Sequence, residues 1–194
     1  LNDPSAWRLL GDRENNFSIV GNQHSDPTGA LVEKLVNSID AVLMVGCQRA
    51  GIDPEGPDAP ESMTEAVERF YHVRYGRIGQ ENPRTLTKLA DNIHLVAVGS
   101  KESPRYLVID RGEGQTPNSF PKTFMSLAES NKLRIPFVQG RFNSGGTGVL
   151  QFCGSENFQL FASKRNPASP ASADDDSSGM WGFTVVRRVE PQPD

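Results

Sequence analysis

The sequence predicts an α+β fold, a two-layer sandwich with helices on one face of a mixed, mostly antiparallel sheet. Two observations predict it. A long amphipathic helical pattern runs from Asp26 to about Cys47, and two pairs of apolar, β-branched-rich runs indicate strands. The first two runs, 93–99 and 105–110, read as a β-hairpin, and the last two, 158–164 and 181–189, read as two final strands. We expect one domain over residues 1–194.

Local signals mark where the helices start. Asp26 can cap the first helix, and Pro27 suits its first turn, where a missing N–H costs nothing. Ser62 and Glu65 form a capping box that predicts a second helix. A third helix is expected after Pro83.

The remaining segments carry weaker signals of secondary structure. We expect a short strand at 17–20, an exposed and mobile insertion at 48–61, and a helix at 119–131. Residues 132–146 read as a long loop suited to a lid, which ends where Thr147 can cap a short helix.

Two further segments have biased composition. Residues 166–179 are rich in Ser, Ala, Pro and Asp and are expected to form a disordered connector. Residues 190–194, rich in proline, read as a linker. The sequence also begins without Met, so the chain is expected to be the N-terminal fragment of a larger protein.

Composition bounds the functional classes. Hydrophobic residues make up 36% of the chain and its formal net charge is −4, so nucleic-acid binding is not indicated for this segment. No apolar run approaches the ~20 residues needed to span a bilayer. The two cysteines and three histidines lack the pair spacing of a zinc site. We therefore expect a cytoplasmic protein with no membrane partner.

The first helix carries a polar stripe. Successive helical residues advance by about 100 degrees, so Glu33, Asn37, Asp40 and Met44 fall within a stripe about 60 degrees wide. Two carboxylates and an amide aimed at one cleft suggest a ligand. Taken alone, the stripe fits an ordinary solvated helix face better.

Two glycine-containing segments follow in order. Residues 110–114 read Asp-Arg-Gly-Glu-Gly, and residues 140–148 read Gly-Arg-Phe-Asn-Ser-Gly-Gly-Thr-Gly. Glycines near a helix N-terminus let backbone N–H groups approach a phosphate. Alone, the second segment fits a flexible loop and Asp110 fits a turn residue. The ordered series of all three motifs favours a nucleotide site.

The motifs Glu-x-x-x-Asn-x-x-Asp-Ala at 33–41 and Asp-x-Gly-x-Gly at 110–114 resemble those of the GHKL, or Bergerat-fold, ATPases. This superfamily includes the gyrase B subunit, the ninety-kilodalton heat-shock chaperone, histidine kinases and MutL. The resemblance extends from about Asp26 to Val189. Its third motif departs from the usual forms, because Phe142-Asn143-Ser144 lengthens the approach to Gly145.

The resemblance implies ATP and magnesium as ligands and gives roles to individual residues. Glu33 would act as the catalytic base that deprotonates the attacking water, and Asn37 would be the magnesium ligand. Asp110, expected to be buried, would accept a hydrogen bond from the adenine amine. The other residues expected to contact the nucleotide are Asp40, Ala41, Gly112, Gly114, Gln115, Thr116, Gly145, Gly146, Thr147, Gly148 and Thr184.

The implied function is Mg-ATP binding and slow hydrolysis that works a conformational switch in a larger protein. Neighbouring domains of the same chain are expected partners, and the domain could form an ATP-dependent homodimer. One alternative is a regulatory module that senses nucleotide without hydrolysing it. A histidine or serine protein kinase is disfavoured, because histidine kinases usually carry a basic residue at the position of Asp40. A structural domain that binds nothing is the fourth interpretation.

Overall fold

The structure is a computed structural model that describes residues 3–10, 26–123, 125, 132, 134–140, 148–155, 157–169 and 172–189. Within these residues the chain is a mixture of helices and antiparallel strands, as the α+β prediction requires. No helix in the described part is long and apolar enough to cross a membrane.

Three α-helices begin where the local signals predict. Helix α1 spans Pro27–Arg49, and the Asp26 carboxylate accepts a hydrogen bond from the Gly29 N–H at 2.9 Å. Helix α2 spans Met63–Tyr71 and is capped by Ser62. Helix α3 spans Pro83–Ala90 and is capped by Asn82. The capping residue at each start satisfies one of the N–H groups that the first helical turn leaves unpaired.

The strands form two antiparallel hairpins. Strands β1 (Ile93–Gly99) and β2 (Pro104–Asp110) pair with each other, and so do β3 (Phe158–Lys164) and β4 (Trp181–Arg187). The predicted hairpin of β1 and β2 is confirmed, and so are the two final strands, whose pairing with each other was not predicted. Among the described residues, however, they form two separate two-stranded sheets, whereas the sequence predicted one mixed sheet.

The predicted helix at 119–131 differs from the structure where the two can be compared. The chain forms a 3-10 helix over Pro117–Lys122, and Thr123 then takes a non-helical conformation with φ −120° and ψ −88°. Pro121 lies inside this segment and has no N–H to donate to a regular α-helix. Most of the remaining residues up to 131 lie outside the described part.

Other expectations also fall on residues that are not described: the strand at 17–20, residues 141–146 of the predicted lid loop, the capping of a helix by Thr147 and the linker at 190–194. Downstream of Thr147, a 3-10 turn spans Leu150–Phe152, and no side chain caps it.

The hydrophobic core lies between α1, α2 and the segment 135–138. It is formed by buried apolar side chains from all three: Leu43, Met44, Cys47, Ala66, Ile135, Phe137 and Val138. Phe70 meets Phe137 edge to face, with ring centroids 6.3 Å apart. Ile52 and Ala59, from the insertion expected to be exposed, also pack against this core.

The segment expected to be a disordered connector has contacts at several described residues. Ser169 and Ser177 are buried, and the Ser169 hydroxyl donates to the Gln48 side chain. Asp175 accepts hydrogen bonds from the Thr116 hydroxyl and from the Asn118 amide. These contacts do not favour disorder of the segment.

Candidate functional site

Helix α1 presents two adjacent polar faces to the rest of the chain. Lys34, Ser38 and Ala41 face the ends of strands β2 and β3, while Asn37 and Asp40 face residues 139–140. These spacings of three and four residues keep each set on one side of a helix. One helix therefore contacts two of the segments that the sequence singles out.

Asp110 ends β2 and is held against α1. Its Oδ2 accepts a hydrogen bond from the Ser38 hydroxyl at 3.0 Å, and its Oδ1 accepts one from the Gly112 N–H at 2.9 Å. Asp110 is exposed, so the expectation of a buried carboxylate is wrong. The reason is that both faces of the β1–β2 hairpin are largely open at this point.

Gly112 touches α1 so closely that a side chain would not fit. A Cβ at Gly112 would overlap the Ala41 side chain and lie 2.9 Å from the Ala41 carbonyl carbon. The next residue, Glu113, donates its N–H to the Ala41 carbonyl oxygen at 3.1 Å. Two of the predicted site residues, Ala41 and Gly112, are therefore in direct contact.

Glu113 is a buried carboxylate that sequence reasoning missed. Lys132 Nζ lies 4.0 Å from one of its oxygens, and an Arg165 guanidinium nitrogen lies 3.7 Å from the other. Arg165 also donates to the Gly114 carbonyl at 2.9 Å. Glu113 occupies the second variable position of the Asp-x-Gly-x-Gly motif, so the motif gives it no role. Its partners Lys132 and Arg165 are distant in sequence, and no local signal links them to it.

Residues 114–116 join the motif to the second hairpin. Gly114 has φ 60°, and a Cβ there would overlap the Lys164 carbonyl oxygen, so only glycine fits. Gln115 donates its N–H to the Ser163 hydroxyl at 2.8 Å. Thr116 is buried. These three predicted residues are occupied with structural contacts, which fix the path of the chain after Asp110.

Asp40 is fully buried and anchors the segment before the glycine-rich loop. Its carboxylate accepts the Gly140 N–H at 2.7 Å and the Gln139 N–H at 3.0 and 3.1 Å. A buried carboxylate is costly unless it is hydrogen-bonded, and these N–H groups meet that need. Asp40 therefore fixes where the loop beyond Gly140 begins.

Asn37 lies beside the same segment. A Cβ at Gly140 would come within 2.5 Å of the Asn37 Oδ1, so the absence of a side chain at Gly140 leaves room at this oxygen. Asn37 is only partly exposed, and in the described part of the chain its amide has no hydrogen-bond partner. A half-buried amide without a partner is suited to a ligand.

The positions of the remaining predicted residues say little about a nucleotide site. The Thr184 hydroxyl lies 3.7 Å from the Met125 sulfur, a contact that does not involve Asp110. Gly145, Gly146 and Thr147 lie outside the described residues, whereas Gly148 is described and buried. Glu33 is partly buried, one helical turn before Asn37.

Lys34 places a cation on the face of α1 that contacts β2 and β3. Its Nζ donates to the Gln159 side-chain oxygen at 3.2 Å and lies 5.0 Å from the centre of the Phe161 ring. Burial lowers the pKa of Lys34 to about 8, although Cys153 and Glu33 act in the opposite direction. At neutral pH the lysine is therefore still mostly protonated, but its pKa lies much closer to neutral than that of an ordinary lysine.

A cavity of about 390 Å³ lies on the other side of residues 136–139, at the start of α2. Glu61, Ser62 and Met63 complete its lining. It shares Gln139 with the surroundings of Asp40, but Asp110 and Asn37 do not line it. We do not assign the nucleotide to this cavity, because it lacks the polar groups that the motifs bring together.

No family model, no curated protein and no solved structure matches this chain. The structure brings Ala41, Asp110 and Gly112 together at one end of the site. It brings Asn37 and Asp40 together with Gly140 on the adjacent face of the same helix. The arrangement provides an exposed carboxylate acceptor and a neutral amide oxygen.

Replacing Gly112 with alanine should separate α1 from the Asp110 turn. The added methyl group would overlap Ala41, so we expect a loss of about 1–3 kcal/mol in the free energy of unfolding, measured by urea denaturation. Gly179→Ala is the control, because a Cβ there meets nothing within 4 Å and should change stability by less than about 0.5 kcal/mol. Equal stability of the two variants would contradict the observed contact.

Lys34 should make stability depend on alkaline pH. Its pKa is about 8 in the folded chain and near the ordinary 10.5 when unfolded, so between these values the unfolded chain binds more protons. The contribution of Lys34 to stability therefore increases as pH rises through this window. Burial raises the pKa values of Cys153 and Tyr71, which act in the opposite sense.

The measurement is consequently a difference between two proteins. The free energy of unfolding of the wild type minus that of Lys34→Met should increase from about pH 8 to about pH 10. A difference that stays constant across this range would show that the ammonium group of Lys34 is not destabilised by burial.

Proposed function

We propose that this chain is a GHKL-like, Bergerat-fold domain that binds Mg-ATP and hydrolyses it slowly to drive a conformational switch. The observation that carries the proposal is the contact between the first two motifs. Ser38 and Ala41 of α1 touch Asp110 and Gly112 of the turn, although about seventy residues separate them in sequence. An ATP site of this class needs these motifs to be adjacent.

The adenine end of the site would be formed by Asp110. Among the described residues, each of its carboxylate oxygens accepts one hydrogen bond, and an ionised carboxylate has about four acceptor positions. Because Asp110 is also exposed, its free acceptor positions can take the exocyclic amine of adenine. Ser38 and Gly112 hold the carboxylate in one orientation, which reduces the entropy lost when the base binds.

The phosphate end would be formed by Asn37 and the segment that follows Gly140. The Asn37 amide oxygen, which has no hydrogen-bond partner among the described residues, is a hard, neutral ligand of the kind that magnesium accepts. Mg²⁺ usually completes its shell with water and phosphate oxygens. The described residues contain no cluster of three or more His, Cys, Asp or Glu side chains that could hold a metal ion without such phosphate ligands. Magnesium at Asn37 would neutralise part of the phosphate charge. The glycine-rich residues 145–148 would supply backbone N–H groups to the phosphates.

Glu33 would act on water. It lies one turn before Asn37 on the same side of α1, so its carboxylate can accept a proton from a water molecule beside the γ-phosphate. The water oxygen then bonds to the γ-phosphorus while the bond from that phosphorus to the bridging oxygen of ADP breaks. The products are ADP and inorganic phosphate, and the proton leaves Glu33 for solvent.

The switch would act through Asp40. This carboxylate holds the backbone of Gln139 and Gly140 next to Asn37, so phosphates bound at Asn37 would bear directly on the start of the glycine-rich segment. Neighbouring domains or a second copy of the chain would then respond to the position of that segment. ATP would favour one arrangement and hydrolysis would reset it.

Binding should depend on the Asp110 carboxylate. In calorimetric titration with magnesium-ATP, Asp110→Asn should weaken affinity about 10-fold to 100-fold, since it replaces a charged acceptor by an amide. Asp91→Asn is the matched control, an exposed aspartate at the end of α3, and should bind like the wild type. Equal affinity of wild type and Asp110→Asn would contradict the adenine role, and absence of binding by the folded wild type would contradict the proposed function.

Turnover should depend on Glu33 while binding does not. Glu33→Gln keeps the size of the side chain but cannot take a proton, so phosphate release should fall about 10²-fold to 10⁴-fold with nucleotide affinity nearly unchanged. Glu102→Gln, in the exposed β1–β2 turn, serves as the control. If Glu33→Gln released phosphate at the wild-type rate, Glu33 would not be the base. If the wild type bound ATP but released no phosphate, the chain would be a nucleotide-sensing module.

A further inference from the structure

The loop between α2 and α3 contains unusual backbone. His72, directly after α2, has φ 58°, Tyr75 has φ 55° and Gly76 has φ 64°. The left-handed conformation costs a residue with a side chain about 1–2 kcal/mol. Two such residues within four positions therefore require either firm anchoring or a function.

The anchoring is visible on both sides of Tyr75. Val73 is fully buried, and a Cβ at Gly76 would lie 2.6 Å from a methyl group of Thr64 in α2. The Arg74 N–H donates to the Glu81 carboxylate at 3.1 Å and closes the loop. These contacts fix the backbone and turn Tyr75 outward, where 63% of it is exposed. Packing of the Tyr75 ring does not offset the cost of its backbone conformation, because the ring is mostly in solvent.

The same region carries a local excess of positive charge. Residues 73–90 contain four cations, Arg74, Arg77, Arg84 and Lys88, and one carboxylate, Glu81, in a chain of net charge −4. All four cations are exposed. In the part of the chain that the structure describes, none of the four has a salt-bridge partner. A localised positive surface on an acidic protein points to an anionic partner.

The loop brings the cations and the aromatic ring near one another, because the hydrogen bond from Arg74 to Glu81 draws the start of α3 back toward Arg74. The Arg74 guanidinium carbon lies 5.4 Å from the centre of the Tyr75 ring, a cation–π contact. Arg77 follows two residues later, and Arg84 lies in the first turn of α3, directly beyond the loop. We call Arg74, Tyr75, Arg77 and Arg84 the Arg-Tyr surface.

We propose that the Arg-Tyr surface binds single-stranded nucleic acid, a partner that the net charge of −4 does not indicate for the chain as a whole but that this local positive charge favours. Tyr75 stacks on an unpaired base, and the three arginines contact phosphates on either side of it. Single strands offer both parts of this chemistry, because their phosphates alternate with bases whose faces are open. Guanidinium groups suit phosphate because they donate two parallel hydrogen bonds.

An acidic protein segment is the competing ligand, and the geometry favours it less. Carboxylates would use the arginines but would leave unexplained why the chain holds an exposed tyrosine in a strained conformation between two anchors. Double-stranded nucleic acid would meet the arginines too, but its bases are already stacked on one another. Only a strand with free bases uses both the charge and the ring.

The test is fluorescence anisotropy of a labelled oligothymidylate of about 20 nucleotides with the full 194-residue chain at about 50 mM salt. Three phosphate contacts predict that log K falls with log salt with a slope of about −2, since each contact on a single strand contributes about −0.7. A duplex of the same length should bind at least several-fold more weakly. Asp110→Asn should bind the strand like the wild type, which separates this proposal from the nucleotide site.

Three variants test the roles within the surface. Tyr75→Gly should weaken binding about 10-fold through loss of stacking, and it suits the left-handed backbone, so the fold is kept. Tyr75→Phe retains the stacking face and should bind like the wild type. Arg77→Gln should make the salt slope shallower by about 0.7, whereas the control Arg105→Gln, in β2, should not.

Three outcomes would overturn the proposal. The first is no binding of the strand by the folded wild type at low salt. The second is equal binding by Tyr75→Gly and the wild type. The third is competition by polyglutamate as effective as that by unlabelled strand, which would make the surface a site for acidic protein segments.

Discussion

The close approach of Gly112 to Ala41 is the contact on which the rest of the candidate site depends. A methyl group on one side and no side chain on the other let the turn after β2 lie directly on α1. Two hydrogen bonds then become possible, from Glu113 to the Ala41 carbonyl and from Ser38 to Asp110. Larger residues at either position would move the turn away and break both.

Two buried carboxylates extend this arrangement in opposite directions. Asp40 is satisfied by the N–H groups of Gln139 and Gly140, and Glu113 lies between the cations of Lys132 and Arg165. Removing one partner of a buried carboxylate costs more than the pair contributes, because the remaining charge is left without solvation. The two carboxylates therefore fix where distant segments lie, more than they add to stability.

Sequence predicted the features that depend on neighbouring residues. The starts of α1 and α2 follow from single capping side chains and that of α3 from Pro83, while the first hairpin and the two final strands follow from apolar runs. Caps, turns and strand patterns of this kind depend on residues close in the chain. The exposure of Asp110 could not be predicted this way, since it depends on what covers β2. The hydrogen bond from Thr116 to Asp175 could not be predicted either, because Asp175 lies in a segment whose composition indicates disorder. The division of the strands into two sheets also depends on tertiary packing that composition does not encode.

A short chain of contacts connects the candidate nucleotide site with the Arg-Tyr surface. Val42 follows Ala41 in α1, and its carbonyl accepts a hydrogen bond from the Tyr71 hydroxyl at 2.6 Å. Burial raises the pKa of Tyr71, so this hydroxyl remains a donor at neutral pH. Tyr71 is the last residue of α2, and His72, directly after it, begins the strained loop.

A shift of α1 against the Asp110 turn would therefore reach the loop through two contacts. One is the hydrogen bond from Tyr71 to Val42. The other is the packing of Phe70 against Gly46, which is so close that a Cβ at Gly46 would lie 2.8 Å from Phe70. Contacts of this kind couple two sites only if the element between them has two stable arrangements. Helix α2 is the element that touches both sites, because Phe70 and Tyr71 in its last turn contact α1 and His72, directly after it, begins the loop that carries Tyr75.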